Sequence, residues 1–369
     1  MDHVKKADVL YHKQKVGRIA LAEDGKYVFQ YDRNWLVRGF AISPLVLPLR
    51  DDIFVEKKSD FDGMFGVFAD SLPDGWGRLL VDRMLRSQGI DPYTLNQIER
   101  LCITGTSGMG ALEYVPEIMK TDISEYTELS KLADICTDIL ADKEITPEEG
   151  LAELLKREGS SGGARPKVML YYDNTEYLVK FPAAEDSISI GEQEEKYMIC
   201  AAACGIDVPE HRLFESGGRK FFGSVRFDRK KGQKIHMVTV SGLLETTHRV
   251  PNLDYSDLLK LTGYLTKDHR QIEEMIRRMC FNSYAHNWDD HSKNFTFLYD
   301  EKSMRWTLSP DYDLTYSYSF GGERATTING NGRIPSIDDL IAVCSPYGFT
   351  RKEIADIAES IKSNIANFL

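Results

Sequence analysis

Nowhere in these 369 residues is there a run approaching the roughly 18 uncharged apolar residues of a membrane-spanning helix. The opening MDHVKKADVLYHKQ lacks the apolar stretch of a secretory signal, so a cytoplasmic chain is expected. Cysteine is sparse: Cys102, Cys136, Cys200, Cys204, Cys280 and Cys344, none in a C-x-x-C pair. That excludes a disulfide framework or a zinc knuckle and fits a reducing compartment. Cys200 and Cys204, one helical turn apart in MICAAACG, read as small buried residues. Internal repeats and low-complexity tracts are missing. Basic charge is in deficit, with 46 Lys+Arg against 57 Asp+Glu and a net charge of −11. A broad duplex-DNA surface needs clustered lysine and arginine, so extensive direct DNA contact is not expected.

The acidic excess is local. Residues 116–153 carry eleven acids and three lysines, most of the net charge. Leu129, Leu132, Ala133, Cys136, Ile139 and Leu140 recur there at three- and four-residue steps, which predicts an amphipathic helix. Its charged side reads as a solvated face between two domains; a contact for a basic partner is the alternative, which charge alone does not carry. Ahead of it, residues 1–60 read as β structure: VLYHKQKVGRIAL, KYVFQYD, LVRGFAI and LVLPL separated by turns at 23–25 and 32–34. Helical patterns follow around 79–85 and 98–102, and the Gly105–Gly110 stretch reads as a structural turn. Beyond the acidic helix, GSSGGARPK leads into strand 168–172, a turn at Asp173-Asn174 and strand 177–181. A helix from about 192 to 204, capped by Gly205, comes next, then strands near 212–215, 220–227 and 236–238. The last third is mainly helical. Asp268 with Gln271 suggests a capping box, 295–299 with 305–308 a hairpin, and 350–366 a final helix.

The chemistry-bearing residues fall in an informative order. A Gly-rich turn lets backbone N–H groups approach phosphates, and Ser160, Ser161, Gly162, Gly163 and Ala164 precede a strand as that role needs. Lys180 sits mid-strand in LVKFP and Glu194 in the first turn of the next helix, the order of a phosphate-contacting lysine and its orienting acid. Asp289 and Asn294 share the Asp-x4-Asn spacing of a catalytic base and a metal-binding amide on one loop. Asp313, beyond a predicted hairpin, fits a second metal-binding carboxylate. His291 reads equally as a loop organiser or a phosphate contact, with Lys293 beside it on the nucleotide side, and His286 as structural. Taken singly, a Gly-rich loop is usually a turn, Lys180 an edge-strand gatekeeper and Glu194 a helix-terminal acid. The order of all five raises the functional reading above those. A rival reading joins His286, His291, Asp289 and Asp313 in a hydrolytic metal site. Five-residue spacing of the histidines opposes it, and it leaves Lys180 and the Gly-rich loop unused.

On these motifs the chain resembles the HipA family of toxin–antitoxin serine/threonine kinases. GMFGVFADSLPDGWGRLLVDR and GALEYVPE resemble the family's N-terminal region; GSSGGARPK, LVKFP, RFDR, NWDDHSKNF and LSPDYDL resemble its kinase core. The resemblance implies an α+β, protein-kinase-like (HipA-like) two-lobed fold, with a β-rich N-terminal lobe and a mainly helical C-terminal lobe. It divides the chain into an N-terminal subdomain at 1–118, an ATP-binding part at 119–240 and a helical lobe at 241–369. It implies ATP and Mg²⁺ as cofactors, Asp289 as base, Asn294 and Asp313 as metal ligands, Lys180 and Glu194 at the phosphates, and Phe227 near the adenine. Ser160, or its neighbour Ser161, matches an autophosphorylation position whose phosphate would expel the loop. Val225 departs from relatives that carry a glutamate there, which shifts adenine recognition toward backbone groups. Implied partners are a small helix-turn-helix (HipB-like) antitoxin, operator DNA mainly through that antitoxin, and an aminoacyl-tRNA synthetase as substrate. A small-molecule kinase and a silent antitoxin- and operator-binding module are the alternatives.

Overall fold

The computed structural model describes residues 3–58, 60–119, 128–141, 143, 150–151, 154–155, 163, 165–183, 186–187, 189–317 and 321–369. The chain divides into two compact units: Met1–Gly191 with Leu213–Val238 and Gly242–Glu245, and Glu192–Arg212 with Thr239–Ser241 and Thr246–Leu369.

In the first unit, strands β1 (Lys6–Tyr11), β2 (Gln14–Leu21), β3 (Tyr27–Tyr31), β4 (Ile53–Val55) and β5 (Leu112–Val115) form an antiparallel sheet in the order β4-β3-β2-β1-β5. Alternation places Ala7, Val9 and Tyr11 of β1 inward. His12 and Lys13 turn the first hairpin with φ of 46° and 66°, the left-handed pair such a turn requires.

The expectation of strands at 36–42 and 45–49 is corrected. Asp32 accepts a hydrogen bond from the Asn34 N–H at 2.9 Å and starts a short helix, Arg33–Arg38. Side-chain capping outweighs the β-rich composition there. The chain from Gly39 onward is irregular, fixed by the buried Tyr31 hydroxyl, which donates to Leu47 O and accepts from Ile42 N.

The predicted helices lie at Gly75–Ser87 and Gln97–Thr104, the second with an Asn96–Glu99 capping box. Strands β6 (Lys167–Tyr172), β7 (Thr175–Lys180), β8 (His211–Ser216) and β9 (Arg219–Val225) make a second sheet in the order β6-β7-β9-β8. Asp173 and Asn174, both at positive φ, turn the β6–β7 hairpin as expected.

The acidic helix, Leu129–Leu140, does more than separate domains. Leu129, Leu132, Ala133, Cys136 and Ile139 share one core with Trp76, Leu80, Val168, Val179 and Phe221. Its outer face is charged, with Asp134 paired to Arg219 at 2.9 Å. Residues 120–127, 142, 144–149 and 152–153 of the acidic segment lie outside the described residues.

In the second unit the principal elements are helix Ile190–Ala203 from Glu192 onward, helices Tyr255–Thr266, His269–Tyr284, Ile337–Cys344 and Arg351–Phe368, and the hairpin Thr296–Asp300 with Arg305–Leu308. Gly205, at φ 75°, closes the first helix. Asp268 caps His269–Tyr284 by accepting from Arg270 N, but the predicted capping box does not form: Gln271 Oε1 accepts from Leu308 N at 2.7 Å instead. A tertiary partner outcompetes the local one. The final helix carries a genuine capping box, Thr350 with Glu353. All six cysteines are buried thiols. Among the described residues no helix is long and apolar enough to cross a membrane.

Candidate active site

The loop carrying Asp289 and Asn294 leaves helix His269–Tyr284 through Ala285 and turns sharply at His286, whose φ is 54°. Polar bonds then fix it residue by residue. The Asn287 amide donates to Asn282 Oδ1 at 2.9 Å. Ser317 Oγ accepts the backbone N–H of Trp288 at 2.5 Å and of Asp289 at 2.8 Å. Asn294 Nδ2 donates to Asp289 O at 2.8 Å, closing the loop over a short 3-10 turn at Ser292–Asn294. That bond uses the amide nitrogen of Asn294, which leaves its carbonyl oxygen as the hard donor a Mg²⁺ ion takes.

The two adjacent aspartates separate completely. Asp289 is exposed, whereas Asp290 is fully buried. Asp290 Oδ2 accepts from Arg324 Nη2 at 2.6 Å and from the Tyr255 hydroxyl at 2.9 Å, and Oδ1 accepts from Thr326 N at 3.1 Å. Asn282 Nδ2 donates to Tyr255 Oη at 3.0 Å and so joins this network to Asn287. Burial pushes the Asp290 carboxyl up; the Arg324 guanidinium, the Thr326 N–H and the Tyr255 hydroxyl pull it back. Such a pair fixes geometry because each buried charge depends on the other.

Asp313 lies on a segment pinned to the same loop on both sides. Upstream, the Tyr312 hydroxyl donates to Lys293 O at 2.6 Å. Downstream, Thr315 N donates to Asn287 Oδ1 at 3.4 Å and Ser317 N to His286 O at 3.0 Å. Asp313 itself has φ 60°, an uncommon conformation for a non-glycine residue that accompanies functional positions when the surroundings enforce it. Asp311 serves the scaffold: it is buried, 3.7 Å from Arg278, and burial pushes its carboxyl up to about 6. His286 stacks between Trp288 and Tyr316 at centroid distances of 4.5 and 5.8 Å, a structural role. His291 packs against His248 at 5.3 Å and Lys293 is half-buried. Among the described residues no group of three His, Cys, Asp or Glu side chains could hold a metal, so the all-protein hydrolytic site finds no support there.

The other residues belong to the first unit, apart from Glu194. Lys180 ends β7, with its ammonium 5.9 Å from the Phe222 ring centroid on β9. Gly163 is held at the start of helix Gly75–Ser87: its N–H donates to Asp74 Oδ1 at 2.8 Å, and its carbonyl accepts from Trp76 N at 3.2 Å. A Cβ on Gly163 would meet Lys167 Nζ at 2.8 Å. Arg165 grips Asp186 through two 3.0 Å bonds, fixing the entry to β6. Phe227 is half-buried just past β9. Glu194 is buried in the second unit. Ser160, Ser161, Gly162 and Ala164 lie outside the described residues.

Sequence reasoning missed Ser317, Arg324 and Tyr255. Their only signal is spatial, since Arg324 is 34 residues from the carboxylate it neutralises.

A family model for the HipA N-terminal domain matches residues 7–115, and one for a HipA-like C-terminal domain matches residues 159–368. A Haemophilus influenzae protein named "Putative kinase" is 28% identical over 184 residues, 43% of this chain and 53% of its own length. The chain therefore spans about half the length of that relative. "Putative kinase Y4mE" of Sinorhizobium fredii is 24% identical over 356 residues, 86% of this chain and 78% of its own. A solved structure of the Shewanella oneidensis MR-1 toxin–antitoxin system, HipA with HipB and its operator DNA, matches with a TM-score of 0.74 at 19% identity, covering 98% of this chain and 90% of that one. At that identity the likeness is one of fold, a mixed α and β fold that is HipA-like.

Proposed function

The chain belongs to the HipA family, and from that premise we propose that it is an ATP- and Mg²⁺-dependent serine/threonine protein kinase acting as the toxin of a toxin–antitoxin system. The observation that carries the reading is the contrast at 289–290: a rigidly buried Asp290 holds an exposed Asp289 and an oriented Asn294 on one loop. Asp289 is the base that accepts the proton of the attacking hydroxyl. Asn294 and Asp313 offer oxygen donors of the type Mg²⁺ takes. When bound, that ion neutralises charge on the nucleotide phosphates. The family resemblance assigns the phosphates to Lys180 and the adenine to Phe227 in the first unit, and gives Glu194, His291 and Lys293 of the second unit to nucleotide binding as well. By the same resemblance the segment Ser160–Ala164 is the phosphate-binding sequence, and phosphate added at Ser160 or Ser161 adds negative charge that repels the nucleotide and switches the kinase off.

The partner reading follows from the Shewanella complex, which holds HipA, HipB and operator DNA. Here it is a HipB-like antitoxin that supplies the basic DNA surface this acidic chain lacks. The substrate is a translation component, an aminoacyl-tRNA synthetase by family resemblance, and the setting is the cytoplasm.

The test is incubation with γ-labelled ATP, Mg²⁺ and cell lysate, beside Asp289→Ala. A labelled protein band of synthetase size, absent with the variant, is expected. Label confined to small molecules would redirect the reading to a small-molecule kinase. No transfer at all, from a chain that mass spectrometry finds unphosphorylated at 160–161, would overturn it.

A further inference from the structure

The RFDR segment contains more than a candidate adenine contact. Immediately past β9 three charged side chains meet, Arg226 and Asp228 buried and Arg229 half-buried beside them. Arg226 Nε and Nη2 donate to Asp228 at 2.9 and 2.6 Å, and Arg229 Nη1 donates to the same carboxylate at 2.8 Å. Glu176 adds a second acid, 3.6 Å from Arg229 and 4.0 Å from Arg226. The group is tied to the Gly105–Gly110 stretch, more than a hundred residues away. Gly110 N donates to Asp228 Oδ2 at 2.8 Å, Gly110 O accepts from Arg229 Nη1 at 2.9 Å, and Gly108 O accepts from Arg229 Nη2 at 3.0 Å. Lys234 adds a parallel tie, donating to Thr106 O and, at 2.6 Å, to Glu113. Backbone bonds complete the enclosure: Arg226 N to Glu176 O at 3.0 Å, and Ile235 N to Asp228 O at 2.9 Å. Phe227 is the residue held between the two ends of this clamp.

We propose that Asp228 is a positioning residue for nucleotide binding, fixing the backbone that carries Phe227 by anchoring it, through Arg226 and Arg229, to the Gly108–Gly110 turn of the N-terminal region. The inference rests on the ATP reading above. The turn is shaped for this contact. Gly110 has φ 71°, and a Cβ there would meet Met237 Cγ at 3.0 Å and Met237 N at 3.2 Å, so a side chain would push the turn off its partner. Six charged groups of balanced sign, Glu113, Glu176, Arg226, Asp228, Arg229 and Lys234, converge on one junction. Networks of this kind impose a single arrangement, because removing one member leaves another buried charge without its partner. The N-terminal region is thereby a brace for the nucleotide pocket, and a ligand that loosened residues 105–110 would lower ATP affinity.

The experiment uses the full chain and two variants that attack the clamp from opposite sides, Asp228→Asn and Gly110→Ala. The readouts are the ATP KM and kcat, and hydrogen exchange at the amides of 105–110. Both variants are expected to raise the ATP KM roughly tenfold or more while kcat stays within about twofold, because positioning of bound nucleotide is lost and chemistry is not. Faster exchange at 105–110 should accompany the change. Should Asp228→Asn fail to fold, Arg229→Lys, which keeps the charge but loses the fork, takes its place. Folded variants that bind ATP as the wild type does overturn the inference alone. A wild type that binds no ATP overturns the kinase reading, and this inference falls with it.

Discussion

The two units hold their proposed working residues by opposite means. Lys180 stands on a strand locked by apolar packing: Val179 and Phe181, on either side of it, are buried against Phe214 and Phe221. Asp289 stands on a loop held by polar bonds that converge on Asp290, which accepts from Tyr255, Arg324 and Thr326 N, while Asn282 donates to the Tyr255 hydroxyl. An apolar anchor tolerates adjustment, because packing is non-directional. A buried polar network has one satisfied geometry. A strand needs only to present a long, adaptable lysine. A catalytic base and its neighbouring amide need a fixed backbone.

Breaking the polar side should have the larger effect. Arg324→Ala leaves Asp290 as a buried, unneutralised carboxylate and is expected to destabilise the second unit by about 3–5 kcal/mol, measured by denaturant unfolding. Breaking the apolar side with Leu132→Ala, in the helix that backs β6 and β7, should cost about 2–5 kcal/mol, spread widely because the cavity can partly collapse. A smaller loss from Arg324→Ala than from Leu132→Ala would reverse the ranking.

A pH titration sharpens the comparison. His236 is buried and donates from Nε2 to Ile42 O at 2.8 Å, and burial drives its imidazole from 6.5 down to about 4. Its folded-state value lies below its unfolded value, so the unfolded chain takes up the proton first. The contribution is complete above pH 6.5 and is lost as pH falls toward 4, about 3 kcal/mol in all. Replacing it with Gln should flatten stability against pH over that window; an unchanged slope would contradict the assignment. The smallest effect belongs to Ser317→Ala, which removes one acceptor from two loop N–H groups. It should lower stability by about 1 kcal/mol yet slow phosphoryl transfer disproportionately, because it frees the backbone of Asp289 itself.

The same contrast explains what could be read from the sequence. The β6–β7 hairpin, the Leu129–Leu140 helix and the C-terminal helix follow from periodicity and capping, which are local. Spacing alone singled out Asp289, Asn294 and Asp313 as candidates, and the structure pins the segments that carry them to one another. The split between Asp289 and Asp290 was not legible. Nothing in NWDDHSKN says which carboxylate is buried, because the deciding charge is Arg324, beyond a hairpin and a loop. The 36–49 segment misled for a related reason: its β-rich composition was overruled by one capping aspartate and one tyrosine hydroxyl.

The most direct measurement sets the two neighbours side by side. Asp289→Asn and Asp290→Asn are compared with the wild type for γ-phosphoryl transfer and for melting temperature. Asp289→Asn should retain the wild-type melting temperature and lose transfer by about 10²-fold or more, as expected for removal of a general base. Asp290→Asn should lower the melting temperature, with transfer lost only as far as the loop loosens. A stable, fully active Asp289→Asn protein, or an Asp290→Asn protein as stable as the wild type, would contradict the account.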